Sequence, residues 1–181
     1  MTCIAGFVEK GKVCIGGDSA GVAGFNIVSR KDTKVFRNGD FIIGYTSSFR
    51  MGQLLRFSFK PPKVPKNMDV YEYLCTLFVD EIRETYKKGG YLRKSDDVES
   101  GGCFLVGYKG RLFNIDADFE VGENRDNFDS VGCGCSYALG ALDALSKDTE
   151  IDSTTKIYKA LEAATKFSCG VCEPFIIIEE V

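Results

Sequence analysis

Apolar and polar positions near the start of the chain alternate in short runs broken by tight turns. Thr2 to Val8 and Lys12 to Gly17 flank Glu9-Lys10-Gly11, which predicts a β-hairpin. Lys34 to Arg37 and Phe41 to Thr46 predict a second pair of strands across Asn38-Gly39. The pattern then changes period. A helix is expected over 49–59, stopped by Pro61-Pro62. Asp69 caps a longer one, in which Val70, Leu74, Leu77, Phe78, Ile82 and Tyr86 recur at helical steps until Gly89-Gly90. The polar stretch 91–100 reads as a surface loop. Strands are expected over 103–108 and 111–116, joined at Lys109-Gly110. A helix over 135–146 is apolar nearly all round, so it should be covered on both sides. The helix from Ser153 carries Ile157, Ala160, Leu161, Ala164 and Phe167 on one face, and 175–178 makes a last strand.

Strands, two helices, strands, two helices and a strand fit two stacked antiparallel sheets between helical layers. That is an α+β fold, a four-layer αββα sandwich, rather than alternating βαβ units. No repeat or linker divides the chain, so 1–181 is expected to be one domain. The plain alternative is a generic α+β domain without catalysis.

Composition narrows the chemistry. The 181 residues are 44% apolar and 27% charged, enough to bury a substantial core. No apolar stretch approaches the ~20 residues that span a bilayer, so no membrane partner is expected. The N-terminus has no basic region before its apolar run, and Glu9 interrupts it, so it does not read as a signal peptide. A net charge of −3 argues against nucleic acid as the main partner. Eight cysteines without a secretion signal read as free thiols in a reducing, cytoplasmic compartment.

The chain contains no histidine, which removes Ser-His-Asp and Cys-His catalysis and every zinc site that needs imidazole. A proton acceptor near neutrality must then be a perturbed carboxylate, a depressed lysine, a cysteine or an α-amine, whose ordinary pKa is ~7.7–8.0. Met1 precedes a small residue, a terminus from which methionine is usually trimmed. A terminal Thr2 would carry both a hydroxyl nucleophile and its own base. The cysteine pairs Cys133-Gly-Cys135 and Cys169-Gly-Val-Cys172 have spacings that zinc could use. Cys135 should open an apolar helix and Cys172 precedes a strand, however, where cysteine behaves as a small hydrophobe. Neither a metal nor another cofactor is expected.

Several segments in register carry a resemblance. Thr2-Cys-Ile-Ala-Gly, Gly16-Gly17-Asp18-Ser19-Ala20-Gly21 and Lys34-Val35 ahead of the Gly44 strand resemble the proteasome β-subunit. They also resemble the related bacterial peptidase that works with an unfoldase ATPase. Both are N-terminal-nucleophile (Ntn) hydrolases. Ser130-Val-Gly-Cys133-Gly-Cys135 and Phe167-Ser168-Cys169-Gly170 continue the likeness, which runs from Thr2 to about Gly52 and again from Ser130 to about Ile178. The resemblance implies roles for these residues. Thr2 Oγ would attack a peptide carbonyl with the α-amine as base, Lys34 would lie beside it, and Asp18 would hold Lys34 charged. Cys133 stands at the position of an active-site serine, Ser168 where the family has a serine followed by glycine, and Thr165 where an aspartate near Ser168 is expected. The Ser48 N–H would supply the oxyanion site, with Gly21, Asp32, Thr46 and Arg50 around the substrate pocket.

What the likeness implies is a threonine endopeptidase acting on peptide or unfolded-protein substrates. It would sit in a self-compartmentalised homo-oligomeric ring, with an ATPase unfoldase as candidate partner. Two alternatives stay open: a non-catalytic or weakly active ring or scaffold subunit, and an Ntn amidase acting on a small amide.

Overall fold

The computed structural model describes residues 1–180. Strands β1 (Cys3–Glu9) and β2 (Lys12–Gly17) turn at Lys10 and Gly11, whose φ values of 50° and 73° suit the tight hairpin. β3 (Ala20–Ala23) and β4 (Asn26–Ser29) form a separate hairpin that the sequence reading did not anticipate. β5 (Val35–Asn38) and β6 (Phe41–Tyr45) lead into α1 (Phe49–Gln53), which widens into a π-helical turn at Leu54–Ser58. The second helix begins as α2 (Val70–Tyr73), passes through a wide turn at Leu74–Phe78 and continues as α3 (Val79–Lys88). Asp69 caps it, accepting from Tyr71 N at 2.8 Å. β7 (Arg93–Ser95) and β8 (Val98–Ser100) form a small hairpin where a loop was expected. Both strands are largely exposed, so no buried face marks them in the sequence. β9 (Phe104–Tyr108), β10 (Arg111–Ile115), β11 (Val121–Gly122) and β12 (Phe128–Gly132) precede α4 (Cys135–Leu145), α5 (Ser153–Phe167) and β13 (Ile176–Glu179).

Two antiparallel sheets result, one ordered β12-β1-β2-β13 and the other β11-β10-β9-β6-β5. Period-two alternation sorts each strand between two cores. Ile4, Val13, Ile15, Ile42, Leu105 and Leu112 fill the space between the sheets. Cys3, Ala5, Phe7 and Cys14 face the other way, onto Ala138 and Leu142 of α4 and Ile157, Ala160, Leu161 and Ala164 of α5. Phe41, Ile43, Tyr45, Phe104 and Val106 likewise face the α1–α3 layer. The expected αββα sandwich is therefore the observed architecture. Close approach of the sheets depends on missing side chains: a Cβ on Gly44 would fall 2.5 Å from Ile4 Cγ2.

Two helix expectations are corrected. In α4 only Ala138 and Leu142 are buried, while Tyr137 is exposed, so the chain covers one face of the helix and not two. Phe167 is 60% exposed, because α5 ends there and its ring turns outward to lie 5.4 Å from Tyr137. Among the described residues, no helix is long and apolar enough to cross a membrane.

Candidate active site

Strand register builds the site. β1 pairs Cys3 with Gly132 of β12, so the next residues outward, Thr2 and Cys133, meet at the sheet end. β1 also pairs Ile4 with Gly17 of β2, which sets Asp18 opposite Cys3. From the second sheet, β5 pairs Val35 with Gly44, and Tyr45 N donates to Lys34 O, so Lys34 emerges facing the first sheet. Thr2, Asp18 and Lys34, far apart in sequence, thus converge where the ends of the two sheets meet.

Each contact is specific. Thr2 N donates to Cys133 Sγ at 3.3 Å, and Cys133 Sγ lies 3.3 Å from Ser168 Oγ. Thr2 Oγ donates to Met1 O at 2.5 Å, so in the untrimmed chain the hydroxyl is occupied by the preceding carbonyl. Lys34 Nζ donates to Asp18 Oδ1 at 2.9 Å, with both side chains nearly excluded from water. Asp18 also accepts from Cys3 N, Ala20 N and Cys172 N, at 2.9, 2.7 and 3.4 Å. Burial pushes the Lys34 ammonium below its ordinary pKa of 10.5, and Asp18 opposes that shift. Cys3, immediately behind Thr2, is driven up to about 12 chiefly by burial, so its thiol stays neutral.

Backbone geometry fixes the surroundings of Thr2. Gly132 has φ 105°, and a Cβ there would fall 2.2 Å from Thr2 O. Gly134 N donates to that same carbonyl at 3.3 Å. Gly170 faces Met1 and Cys133, where a Cβ would lie 2.4 Å from Met1 Cβ and 2.6 Å from Cys133 Sγ. Thr165 takes no part, since its hydroxyl donates to Leu161 O within α5.

The turn after β6 differs from the simple expectation. Ser48 is extended at φ −149° and caps α1, while the left-handed residue is Ser47 at φ 65°. Ser48 N donates to Thr46 O at 2.7 Å, so the expected oxyanion donor is engaged within its own turn. Ser47 Oγ accepts from Cys103 N at 3.1 Å, which ties the turn to β9's approach.

A cleft of about 70 Å³ opens beside Thr2, lined by Met1, Val22, Lys34, Tyr45, Thr46, Ser47, Ser48 and Phe49. Of the expected pocket residues, Thr46 lines it. Gly21 is covered by Arg30, whose Cδ would sit 2.5 Å from a Cβ at that position. Asp32 is held in a two-pronged pair by Arg30, at 2.7 and 2.8 Å. Arg50 points away, donating to Gly89 O at 3.2 Å and lining a different depression with Leu54 and Lys88. Helix α1 turns it there, because Ser48 caps the helix and Phe49, one residue earlier, takes the wall of the cleft. Sequence reading missed Val22 and Phe49, and Arg30 stacked over the Phe49 ring. Val22 sits on the unanticipated β3–β4 hairpin, and an aromatic at a helix start resembles any core residue.

No family model matches the chain. In sequence it is similar to "ATP-dependent protease subunit HslV" of Caldicellulosiruptor saccharolyticus, 28% identical over 161 residues that cover 87% of this chain and 86% of the relative. It is also similar to the protein of that name from Sulfurihydrogenibium sp., at 22% identity over 180 residues, 98% of this chain and 96% of the relative. Among solved structures, Thiobacillus denitrificans BPH superposes with TM-score 0.85 at 22% identity, over 98% of this chain and 97% of that one. The same protein in complex with Epoxomicin gives 0.84 at 23%, covering 98% and 97%. Eukaryotic HslV from Trypanosoma brucei gives 0.70 at 18%, covering 98% of each chain. The resemblance read from the sequence segments stands: the fold is that of a proteasome-like Ntn hydrolase.

Proposed function

We propose that this protein is a threonine peptidase in which Thr2, exposed by removal of Met1, is both nucleophile and base. One observation carries the reading: in a chain without histidine, the buried Asp18–Lys34 pair and the Cys133–Ser168 pair flank the first two residues. The likeness to protease subunits named HslV supports it.

Loss of Met1 frees the Thr2 hydroxyl from Met1 O and turns the Thr2 nitrogen into an α-amine beside Cys133. The amine takes the hydroxyl proton as Oγ attacks the peptide carbonyl carbon. Lys34, kept charged by Asp18, stabilises the developing negative oxygen and disfavours a second positive charge on the amine. The C–N bond then breaks, the leaving amine receives the proton, and an ester links the substrate's acyl group to Thr2. Water, deprotonated by the same α-amine, cleaves the ester and restores the hydroxyl. In this scheme Cys133 and Ser168 relay or orient the amine proton. Ser48 N serves the oxyanion once the substrate carbonyl replaces Thr46 O as its acceptor.

The ring, an ATPase unfoldase as partner, and a cytoplasmic setting belong to the same proposal. Phe25 at the tip of the β3–β4 hairpin is fully exposed, as are large parts of Ile27, Val28, Tyr137 and Phe167. Two exposed apolar groups result, one on the β3–β4 hairpin and one where Tyr137 meets Phe167, and such surface suits an interaction site. Assembly into a ring would cover it and supply the second cover that α4 lacks within the chain. Light scattering of the purified protein should therefore report a multimer.

One observation favours the alternative of a weakly active or non-catalytic ring subunit, namely the Ser48 N–H already bonded to Thr46 O. The deciding experiment is labelling with a peptide electrophile that captures both the hydroxyl and the amine of a terminal threonine. Peptide mapping should place the adduct on Thr2 of the trimmed chain and find none in Thr2→Ala. Equal peptide cleavage by the two proteins would refute the assignment.

A further inference from the structure

Resting on the reading that Met1 is removed and Thr2 acts, we infer that Cys133 is an oxidation site that switches the peptidase off reversibly. A hydroperoxide oxidises its sulfur, and the sulfur then bonds to the Thr2 amine as a sulfenamide, an S–N link.

The necessary contact is already made. Cys133 Sγ lies 3.3 Å from the Thr2 nitrogen, at the end of the β1–β12 pair, so the two atoms touch before any reaction. Thr2 is held there from both sides. Its carbonyl accepts from Gly134 N at 3.3 Å, and the next residue, Cys3, donates its N–H to Asp18 Oδ1 at 2.9 Å. Ser168 Oγ also lies 3.3 Å from the sulfur, and a Cβ on Gly170 would fall 2.6 Å from it. The sulfur is thus confined between the amine and the turn after α5, and a shift of its own side chain brings it to bonding distance.

Accessibility singles out this thiol. Cys133 is exposed, whereas Thr2 is only 4% exposed and Cys3 behind it is buried. Peroxide therefore reaches the sulfur from solvent while the amine stays sheltered. Burial drives Cys3 up to about 12, and a neutral thiol is a poor nucleophile toward peroxide. Cys172, whose N–H binds Asp18, is likewise raised, chiefly by burial. Cys169 is the exposed competitor, next to Ser168.

The chemistry closes in two steps. Cys133 sulfur, as thiolate, attacks one oxygen of hydrogen peroxide and the O–O bond breaks. The sulfur loses two electrons, the other oxygen leaves as hydroxide and takes the thiol's proton, and a sulfenic acid remains. The amine lone pair, whose protonation the Lys34 ammonium disfavours, then attacks that sulfur. The S–O bond breaks, and hydroxide leaves with an amine proton as water. A nitrogen bonded to sulfur is a weak base, so the Thr2 hydroxyl has lost its proton acceptor. A thiol reductant reverses the link: it attacks the sulfur, the S–N bond breaks and the amine regains its proton. A second thiol then displaces the first as a disulfide and restores Cys133.

The test uses the trimmed full-length protein, hydrogen peroxide and dithiothreitol. Intact mass should show a loss of two hydrogens, and mapping without reductant should join the peptide that begins at Thr2 to the one holding Cys133. Peptide cleavage should fall at least ~tenfold and return with dithiothreitol, since a sulfenamide is reversible and a sulfinic acid is not. Cys133→Ser should keep its own starting rate under the same treatment, and Cys169→Ser should respond as the wild-type protein does. Thr2→Ala, also trimmed, keeps a terminal amine and should form the link, which reads the bond apart from activity. A link mapped between Cys133 and Cys169, or a gain of oxygen without loss of hydrogen, overturns this inference and leaves the peptidase reading intact. Absence of Thr2 labelling by the hydroxyl-and-amine electrophile in untreated, trimmed protein overturns the peptidase reading, and retention of Met1 overturns both.

Discussion

The Asp18 carboxylate and the Lys34 ammonium meet at 2.9 Å with almost no water on either side chain, yet the two ends of this pair are not equivalent. Asp18 has three backbone N–H donors besides Lys34, from Cys3, Ala20 and Cys172. Among the described residues, Lys34 has no second carboxylate partner. Removing the carboxylate charge in Asp18→Asn strands a buried ammonium, a loss of about 3–5 kcal/mol. In Lys34→Met the carboxylate keeps its three backbone donors, so the cost should be smaller, about 1–3 kcal/mol. Urea unfolding should rank Asp18→Asn as the less stable variant while peptide cleavage is lost in both. The reverse ranking would contradict this account.

Activity should follow a bell in pH. On the acid side the Thr2 amine must be unprotonated to act as base, so kcat/KM falls as pH drops through the amine's titration. An ordinary α-amine titrates at ~7.7–8.0, and the Lys34 ammonium opposes its protonation, which moves this limb toward lower pH. On the alkaline side Lys34 must remain charged. Its pKa lies below the usual 10.5 because of burial, so the falling limb should begin before that of an exposed lysine. A pH profile of kcat/KM with a neutral peptide reads both limbs. A flat response between pH 6 and 10 would remove the amine and Lys34 from the mechanism.

The thiols should separate by position. Cys3 and Cys14 are buried and raised to about 12 and about 11, so they resist alkylation. Cys75, Cys133 and Cys169 are exposed and should react first with iodoacetamide. Modification of Cys133 puts a bulky group where its sulfur now lies 3.3 Å from the Thr2 nitrogen, so inactivation should track adduct at that residue by mass spectrometry. Cys133→Ser should retain cleavage, since a hydroxyl is the better hydrogen-bonding group, and should resist the reagent. Inactivation of Cys133→Ser at the wild-type rate would place the sensitive thiol elsewhere.

Much of this was legible in the residues. The αββα layering follows from alternation in β1, β2, β6 and β9, whose apolar residues are buried on both faces of each sheet. Thr2 is legible from the missing histidine and the trimmable Met1, and Asp18 and Lys34 only through the family resemblance; strand register is what brings the three together. Surface hairpins are not legible. β4, β7 and β8 bury little and β3 buries only Ala20 and Gly21, so no periodic signal distinguishes them from loops. The lining of the cleft beside Thr2 was legible only in part for the same reason: Arg30 and Phe49 are matched by a contact between the end of a hairpin and a helix start, which no local pattern encodes. Arg50 was expected at the cleft and faces Gly89 instead, because one helical step rotates it away.

Ser47 offers the sharpest test of the oxyanion arrangement. It is held at φ 65°, a region costly for serine and natural for glycine, while Ser48 N donates to Thr46 O at 2.7 Å. For Ser48 N to reach a substrate oxyanion, that short turn must open, and the peptide between Ser47 and Ser48 must rotate. Ser47→Gly relieves the positive φ and frees the rotation, at the loss of the hydroxyl that accepts from Cys103 N. The backbone gain, ~1 kcal/mol, and the lost bond, also ~1 kcal/mol, nearly offset each other, so stability should change little. Turnover should rise, because the donor becomes available to the transition state without first breaking its own turn. The expected signature is a higher kcat with KM nearly unchanged. A drop in kcat would show instead that the Ser47 conformation holds the donor in place, and Ser48 would then act without any opening of the turn.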